Sequence, residues 1–253
     1  MWESFAVGLR SQFSHELGFY DDGGLYEASD PDTLDQQMRL DAYTLVGTSE
    51  NGAVFVVIPW LFPRVDRGGG LNMGSDISDI QIGYRHQIIA IGEYEEIPSL
   101  ALTGSILVPT GTPKSKGTKA HEVTGRDMVA LMAGASLEKT WMPFFLQLNL
   151  GASLLFNQVR TWGKTPEPIG SSYQVALATG MEITNNLVAS LMGNFTYETQ
   201  SKWKTEVGAA LSWRIDPHFT VQVNGNSNLF LNKTGANWPG NVSYGFGIRY
   251  GYF

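Results

Sequence analysis

The chain of 253 residues contains no cysteine, so disulfide frameworks, thiolate metal sites and cysteine nucleophiles are excluded from the outset. Charged residues are sparse, at 16%, and 24 Asp and Glu outnumber 17 Lys and Arg for a net charge of −7. The nearest approach to a basic run is the scattered set Lys114, Lys116 and Lys119, so the footprint of a nucleic-acid-binding protein is missing. Long hydrophobic runs are missing too. The longest, from Ala53 to Phe62, carries Pro59 and falls well short of the roughly 18 residues that a membrane-spanning helix requires. No basic-then-apolar leader precedes Trp2, Glu3 and Ser4, so an exported form is expected to have lost one already. The 29 glycines and 11 prolines are spread along the chain with no linker-like concentration, which leads us to expect a single domain over residues 1–253.

What is present is a period of two. Between Phe144 and Leu154 the residues Phe144, Leu146, Leu148, Leu150, Ala152 and Leu154 share one face, and Gln147, Asn149, Gly151 and Ser153 share the other. The split recurs from Tyr173 to Ile183. It recurs again from Phe219 to Leu229, where Gln222, Asn224, Asn226 and Asn228 form a polar row too dense for the core of a soluble sandwich. The full set of such segments is Phe5–Phe13, Gln37–Leu45, Ala53–Trp60, Ile80–Ile88, Leu100–Val108, Met128–Leu137, Phe144–Leu154, Tyr173–Ile183, Leu187–Tyr197, Thr205–Arg214, Phe219–Leu229 and Val242–Tyr252. About twelve strands of roughly 9–11 residues match the length with which a tilted strand crosses a bilayer.

The connections alternate in length. Thr48 to Gly52, Lys139 to Met142, Thr184 to Asn186 and Asp216 to His218 are tight and rich in turn-forming residues. Tyr20 to Gln36, Pro63 to Asp79, Pro109 to Asp127, Asn157 to Ser172 and Leu231 to Asn241 are long and polar. Short periplasmic turns and long extracellular loops are the pattern of an all-β, antiparallel transmembrane barrel in the bacterial outer membrane. Aromatic residues gather near both sets of ends: Trp141, Trp213, Tyr250 and Tyr252 by the turns, and Tyr20, Trp60, Tyr173, Tyr197, Trp203 and Tyr244 by the loops. Two girdles at two membrane interfaces would account for that placement.

Three stretches carry a resemblance. Ser75 to Arg85 reads Ser-Asp-Ile-Ser-Asp-Ile-Gln-Ile-Gly-Tyr-Arg, Pro98 to Leu102 reads Pro-Ser-Leu-Ala-Leu, and Val108 to Gly111 reads Val-Pro-Thr-Gly. In these, and loosely at Val57 to Trp60, the chain resembles the outer-membrane family of phenol-degradation meta-pathway transporter-like proteins. Ser78 stands where that family usually has Gly. The resemblance implies an outer-membrane barrel that passes small, often hydrophobic or aromatic compounds. The terminal Phe253 on a final amphipathic strand also looks like the signal read by the outer-membrane insertion machinery, although Phe253 lies on the opposite parity to Tyr244, Phe246, Ile248, Tyr250 and Tyr252.

If the apolar face meets lipid, the lumen receives Arg10, Gln12, Arg39, Asp41, Gln81, Arg85, Gln87, Gln147, Asn149, Glu182, Glu206, Arg214, Gln222, Asn224, Asn226 and Arg249. Arginines and carboxylates at one level hold each other ionised, and their field selects the solute. The functional expectation is an outer-membrane channel passing a small solute by passive diffusion through this lumen. Its surroundings would be membrane lipid and lipopolysaccharide, with no cofactor. The alternative is that the same groups fill the bore and leave a plugged scaffold that docks partner proteins in an envelope assembly. Inward glycines, Gly8, Gly83, Gly134, Gly151, Gly180, Gly208 and Gly247, suggest room, whereas Tyr43, Ile58, Trp60 and Met132 are expected to point inward and constrict.

Catalysis finds little support. No histidine, among His15, His86, His121 and His218, is followed two positions later by the Ser that an outer-membrane lipid hydrolase pattern requires. A rim protease built from His15, Asp21 and Asp22 has no sequence geometry behind it. The loop from Thr110 to Asp127 carries Lys114, Lys116, Lys119, His121 and Arg126, and that from Asp21 to Asp35 carries Asp21, Asp22, Glu27, Asp30, Asp32 and Asp35. These charges could bridge as a lid or meet lipopolysaccharide phosphates, and as solvated loops they need do neither.

Overall fold

A computed structural model describes residues 4–20, 26–28, 33–67, 70–90, 96–112, 128–157, 171–198, 203–228 and 238–252. Its strands are, in chain order, β1 (Phe5–Tyr20), β2 (Tyr26–Ala28), β3 (Thr33–Ser49), β4 (Gly52–Arg67), β5 (Asn72–Met73), β6 (Asp76–Ile77), β7 (Ile80–Ile89) and β8 (Ser99–Val108), followed by β9 (Met128–Trp141), β10 (Phe144–Asn157), β11 (Ser171–Thr184), β12 (Leu187–Glu198), β13 (Trp203–Arg214), β14 (Phe219–Ser227) and β15 (Trp238–Tyr252). Twelve of them, all but β2, β5 and β6, follow one another around one antiparallel sheet. β15 returns to pair with β1, from Phe5 opposite Tyr252 to Tyr20 opposite Trp238, and the sheet closes.

Local chemistry explains the turns. Asp216 accepts hydrogen bonds from the His218 and Phe219 amides at 2.7 and 2.9 Å, and this Asx turn reverses the chain between β13 and β14. Asn185 and Asn186 alone join β11 to β12, which the short polar side chain of Asn tolerates well.

Alternation becomes inside and outside. The deeply buried side chains, among them Ala6, Asp41, Leu61, Ala101, Ala130, Ala210 and Asn228, all have inward parity. The opposite parity presents Val175, Leu177, Met181, Leu191, Leu211 and Val223 to the exterior, Leu177 at 49% and Leu191 at 65% exposure. An apolar belt of this kind, wrapped round a sheet without edges, is at home only in hydrocarbon, where every backbone polar group has to be satisfied within the barrel. The chain is therefore a twelve-stranded transmembrane barrel of the outer-membrane type, and its place is the bacterial outer membrane. Trp141, Trp213 and Tyr250 are exposed near the turn ends, and Tyr173 and Tyr244 towards the loops. The side chains of Tyr20, Trp203 and Tyr252 are outside what is described, as is Phe253.

Three expectations from the sequence are corrected. First, several strands exceed 9–11 residues: β1 and β4 run for 16 and β3 for 17. The extra length lies on the loop side, where Thr33 to Gln36 pairs with Arg64 to Arg67, so part of two supposed loops is ladder. His15, in or near a loop by its place in the sequence, sits within the loop-side part of β1 opposite Gln36 and Val242. Second, the Pro63 to Asp79 stretch turns back as β5 and β6, which pair with β4 at Arg64, Val65, Trp60 and Leu61. Third, Ile58 and Trp60 face outward, at 38% and 43% exposure, because the register sets Asp41 opposite Pro59 and Tyr43 opposite Val57. The inward residues of β4 thus include Phe55, Val57, Pro59 and Leu61. Pro59, which has no amide hydrogen, falls where the partner of β4 changes from β7 to β6, and only its carbonyl is used, by the Ser78 amide at 2.8 Å.

Candidate functional site: a lumen with one charged wall

The inward faces of β1 and β3 bring three charged side chains together at mid-strand. Arg10 lies opposite Asp41, and its guanidinium donates to Asp41 Oδ2 at 2.7 Å. Arg39, two residues along β3 and hence on the same face, donates through Nε to Asp41 Oδ1 at 2.5 Å. Asp41 itself is only 2% exposed. The cost of burying this side chain is offset by the bonds that both its oxygens make to guanidinium groups whose outer atoms remain solvated. Arg249, on β15, faces Gly8 of β1, which in turn faces Tyr43 of β3.

Aromatic rings meet glycines along the wall. A methyl group at Gly8 would collide with the Tyr43 ring and hydroxyl, one at Gly83 with the Phe55 ring, and one at Gly180 with the Phe145 ring. In each case the glycine lies opposite the aromatic residue on the neighbouring strand. The missing side chain makes a shallow seat in which the ring lies flat along the sheet. Tyr43 is inward as the sequence suggested, and it is folded against the wall. Met132 is also inward, opposite Ser105 and Ser153.

The remaining polar residues also bond sideways. Gln81 donates to Ser105 Oγ at 3.0 Å, Gln147 to Ser136 Oγ at 3.4 Å, and Gln12 to Ser243 Oγ at 3.2 Å. Gln174 donates to Asn194 Oδ1 at 2.8 Å, Asn194 to Glu206 Oε2 at 3.3 Å, and Lys204 pairs with Glu206 Oε1 at 2.6 Å. Each of these contacts joins a residue to its own strand or to the next one. Arg85 donates to Gln87 Oε1 at 3.3 Å on its own strand. Asn149 lies opposite Ser136 and Ala176, Asn224 opposite Ala210 and the bare Gly245, and Glu182 opposite Val188 beside the β11–β12 turn. The register thus sets Arg10, Arg39, Asp41, Gln81, Arg85, Gln147, Asn149, Glu182, Glu206, Asn224 and Arg249 on one face, and Arg10, Arg39 and Asp41 are joined there by direct ion pairs.

At the turn end of the barrel these walls enclose a cavity of about 810 Å³, bounded by residues of β1, β3, β4, β7, β12, β13, β14 and β15. Arg10, Arg85, Arg214 and Arg249 line it, with Asp41, Tyr43, Phe55, Val57, Thr220 and Gln222. The apolar share of this lining, and the seating of the rings, escaped sequence reasoning. The first follows from the parity of β4 and the second from the cross-strand register, neither of which a run without alternation displays. Among the described residues no group of three His, Asp or Glu could hold a metal ion. Lys114, Lys116, Lys119, His121 and Arg126 lie outside the described residues, as do Asp21, Asp22, Asp30 and Asp32.

The motif residues find a structural role at the opposite end. The Thr110 hydroxyl donates to the Ser78 carbonyl at 2.6 Å and accepts the Ile80 amide at 3.1 Å. Asp79 accepts the Gly111 amide at 3.2 Å, and Asp76 the Thr112 hydroxyl at 2.7 Å. The Ser75–Ile80 and Pro109–Gly111 stretches therefore form one clasp where β7 and β8 leave the membrane.

Fold and lumen together define the class: an outer-membrane barrel whose closed wall surrounds a polar-lined space. No protein-family model and no curated protein matches the chain. Among solved structures, it is similar to an outer membrane channel from Pseudomonas putida F1, with a TM-score of 0.70 and 12% identity over 99% of this chain and 96% of that one. It is similar also to the NanC porin, with a TM-score of 0.59 and 9% identity over 96% and 98% of the two chains. The CymD monoaromatic hydrocarbon channel follows at a TM-score of 0.51 and 9% identity, over 100% and 89%. At these identities the likeness is one of fold.

Proposed function

We propose that the protein is a passive channel of the bacterial outer membrane, passing a small solute down its gradient through the Arg- and acid-lined lumen. The observation that carries this reading is the sideways seating of the inward groups: rings on glycines and amides on the next strand, around a cavity of about 810 Å³. Side chains held along a wall leave a bore, whereas a plug needs them to meet across it. The solved channels of similar fold, one of them for monoaromatic hydrocarbons, make a hydrophobic or aromatic solute a natural candidate. That agrees with the resemblance to the phenol-degradation meta-pathway transporter-like family. Arg10, Arg39, Asp41, Arg85 and Arg249 act on the solute as fixed charges, while Gln81, Gln147, Asn149, Glu182, Glu206 and Asn224 keep the rest of the passage wet. Lipopolysaccharide and membrane lipid surround the barrel. No cofactor takes part in diffusion.

Single-channel recording of the refolded protein in a planar bilayer tests the reading. Stable conductance steps are expected. A barrel that is folded by its heat-modifiable migration and never conducts overturns it in favour of the plugged scaffold.

A further inference from the structure

The charges lining the turn-end cavity do not balance. Among the described residues that line it, four guanidinium groups, of Arg10, Arg85, Arg214 and Arg249, stand with one carboxylate, Asp41, and both oxygens of that carboxylate are already bonded, one to Arg10 and one to Arg39 outside the cavity lining. Among the described residues Arg85 and Arg214 form no ion pair. The inward carboxylates Glu138 and Glu182 stand at this end of the barrel, yet neither lines the cavity. A chain whose net charge is −7 thus encloses a positive chamber. Walls of low dielectric focus that field on whatever enters.

Beside the guanidinium groups runs an apolar strip. β4 is the strand with both faces apolar, and its inward Phe55 and Val57 border the cavity between Tyr43 on one side and Arg85 on the other. A solute satisfying both surfaces carries one negative group and a hydrocarbon body. The planar, forked guanidinium matches a carboxylate through paired hydrogen bonds. The volume, about 810 Å³, is that of a pocket for a small organic molecule.

We infer that the channel is anion-selective and that its solutes are small organic carboxylates, drawn in by the turn-end arginines with their hydrocarbon part lying on Phe55 and Val57. This rests on the channel reading above and narrows it. The arginines raise the local concentration of carboxylate at the turn end, and because the same groups remain solvated the solute leaves as readily as it enters.

The test is the reversal potential of the refolded full-length protein in a planar bilayer under a potassium chloride gradient, followed by addition of benzoate or benzylammonium. Chloride is expected to permeate in preference to potassium, and benzoate, not benzylammonium, to reduce the chloride current. Each guanidinium is worth about a factor of two at the distance of a passing ion, so the Arg85→Gln, Arg214→Gln double variant should lower the preference about fourfold. Arg85→Lys, which keeps the charge, should retain it. Stable steps with no anion preference, or equal effects of the two aromatic ions, overturn the carboxylate inference and leave the channel standing. Absence of steps from a folded barrel overturns both.

Discussion

Two stretches of the barrel wall, one of five adjacent strands and one of four, arise from the same alternation and differ in what they present to the lumen. From β15 through β1, β3 and β4 to β7 the inward face carries Arg249, Arg10, Arg39, Asp41 and Arg85, with the apolar strip of Phe55 and Val57 set among them. From β8 to β11 the inward residues between the strand ends are neutral and, Met132 apart, mostly small: Ala101, Thr103, Ser105, Gly134, Ser136, Gln147, Asn149, Gly151, Ala176 and Ala178. The first wall is held by charge-assisted bonds at 2.5 and 2.7 Å, the second by single amide–hydroxyl contacts such as that of Gln147 with Ser136 at 3.4 Å. The field therefore runs across the bore as well as along it. On the channel reading proposed above, a solute with a charged end would be turned towards one side, and the other side would give it room.

The sharpest way to break this contrast is to remove the carboxylate that organises the charged wall. Asp41→Asn leaves two guanidinium groups with a weaker partner and should lower stability by about 2 kcal/mol, whereas Asn149→Ala on the neutral wall should change it by less than about 0.5 kcal/mol. Urea midpoints of the barrels folded in vesicles measure both. Equal losses would show that the ion pairs do not hold their wall.

A second contrast separates the ring seats from ordinary glycines. Gly8→Ala must lift the Tyr43 ring away from the wall and push the strand off the Ile248 carbonyl, 2.6 Å from the new methyl group, with a cost of about 1–3 kcal/mol and a smaller conductance step, while Gly151→Ala finds its nearest neighbour, Gln174 Cβ, at an unstrained 3.7 Å. If both variants conduct like the parent, Tyr43 does not border the narrow part of the path. The smallest expected change comes from placing charge on the neutral side. Ala178→Glu should reduce anion preference by about a factor of two with little loss of stability, because Ala178 faces the lumen between Gln147 and Met192. An unchanged reversal potential would mean that permeant ions pass out of reach of that wall.

Much of the fold was legible because one face meets lipid: wherever a strand alternates strictly, as from Phe144 to Leu154, parity alone separates Leu150 from Asn149. Legibility ends where alternation does. The run from Ala53 to Phe62 is apolar on both parities, so nothing in it distinguishes Ile58 and Trp60 from Phe55 and Val57, and only the pairing with Asp41 and Tyr43 decides. The extensions of β1, β3 and β4 were hidden for a different reason. Outside the bilayer a ladder needs no apolar face, and Asp35, Gln36, Arg64 and Asp66 read as loop while pairing as strand. At the candidate site, the sequence identified which residues share the inward face. It could not show which of them stand at one height, since that depends on strand tilt and stagger. The sequence leads one to expect arginines and acids along the lumen, and the cavity collects four of the arginines and one of the acids.

The clasp of Thr110, Asp79 and Asp76 has a mechanical consequence. Four hydrogen bonds fasten the chain between Val108 and Thr112 to the segment entering β7. A pull on the residues that follow Thr112, from a ligand or from a neighbouring molecule on the cell surface, loads these bonds before it reaches the β7–β8 ladder. The clasp works as a strain relief. Whatever sequence follows it can change, or be grasped, with little disturbance passed to Gln81 and Arg85 in the bore below.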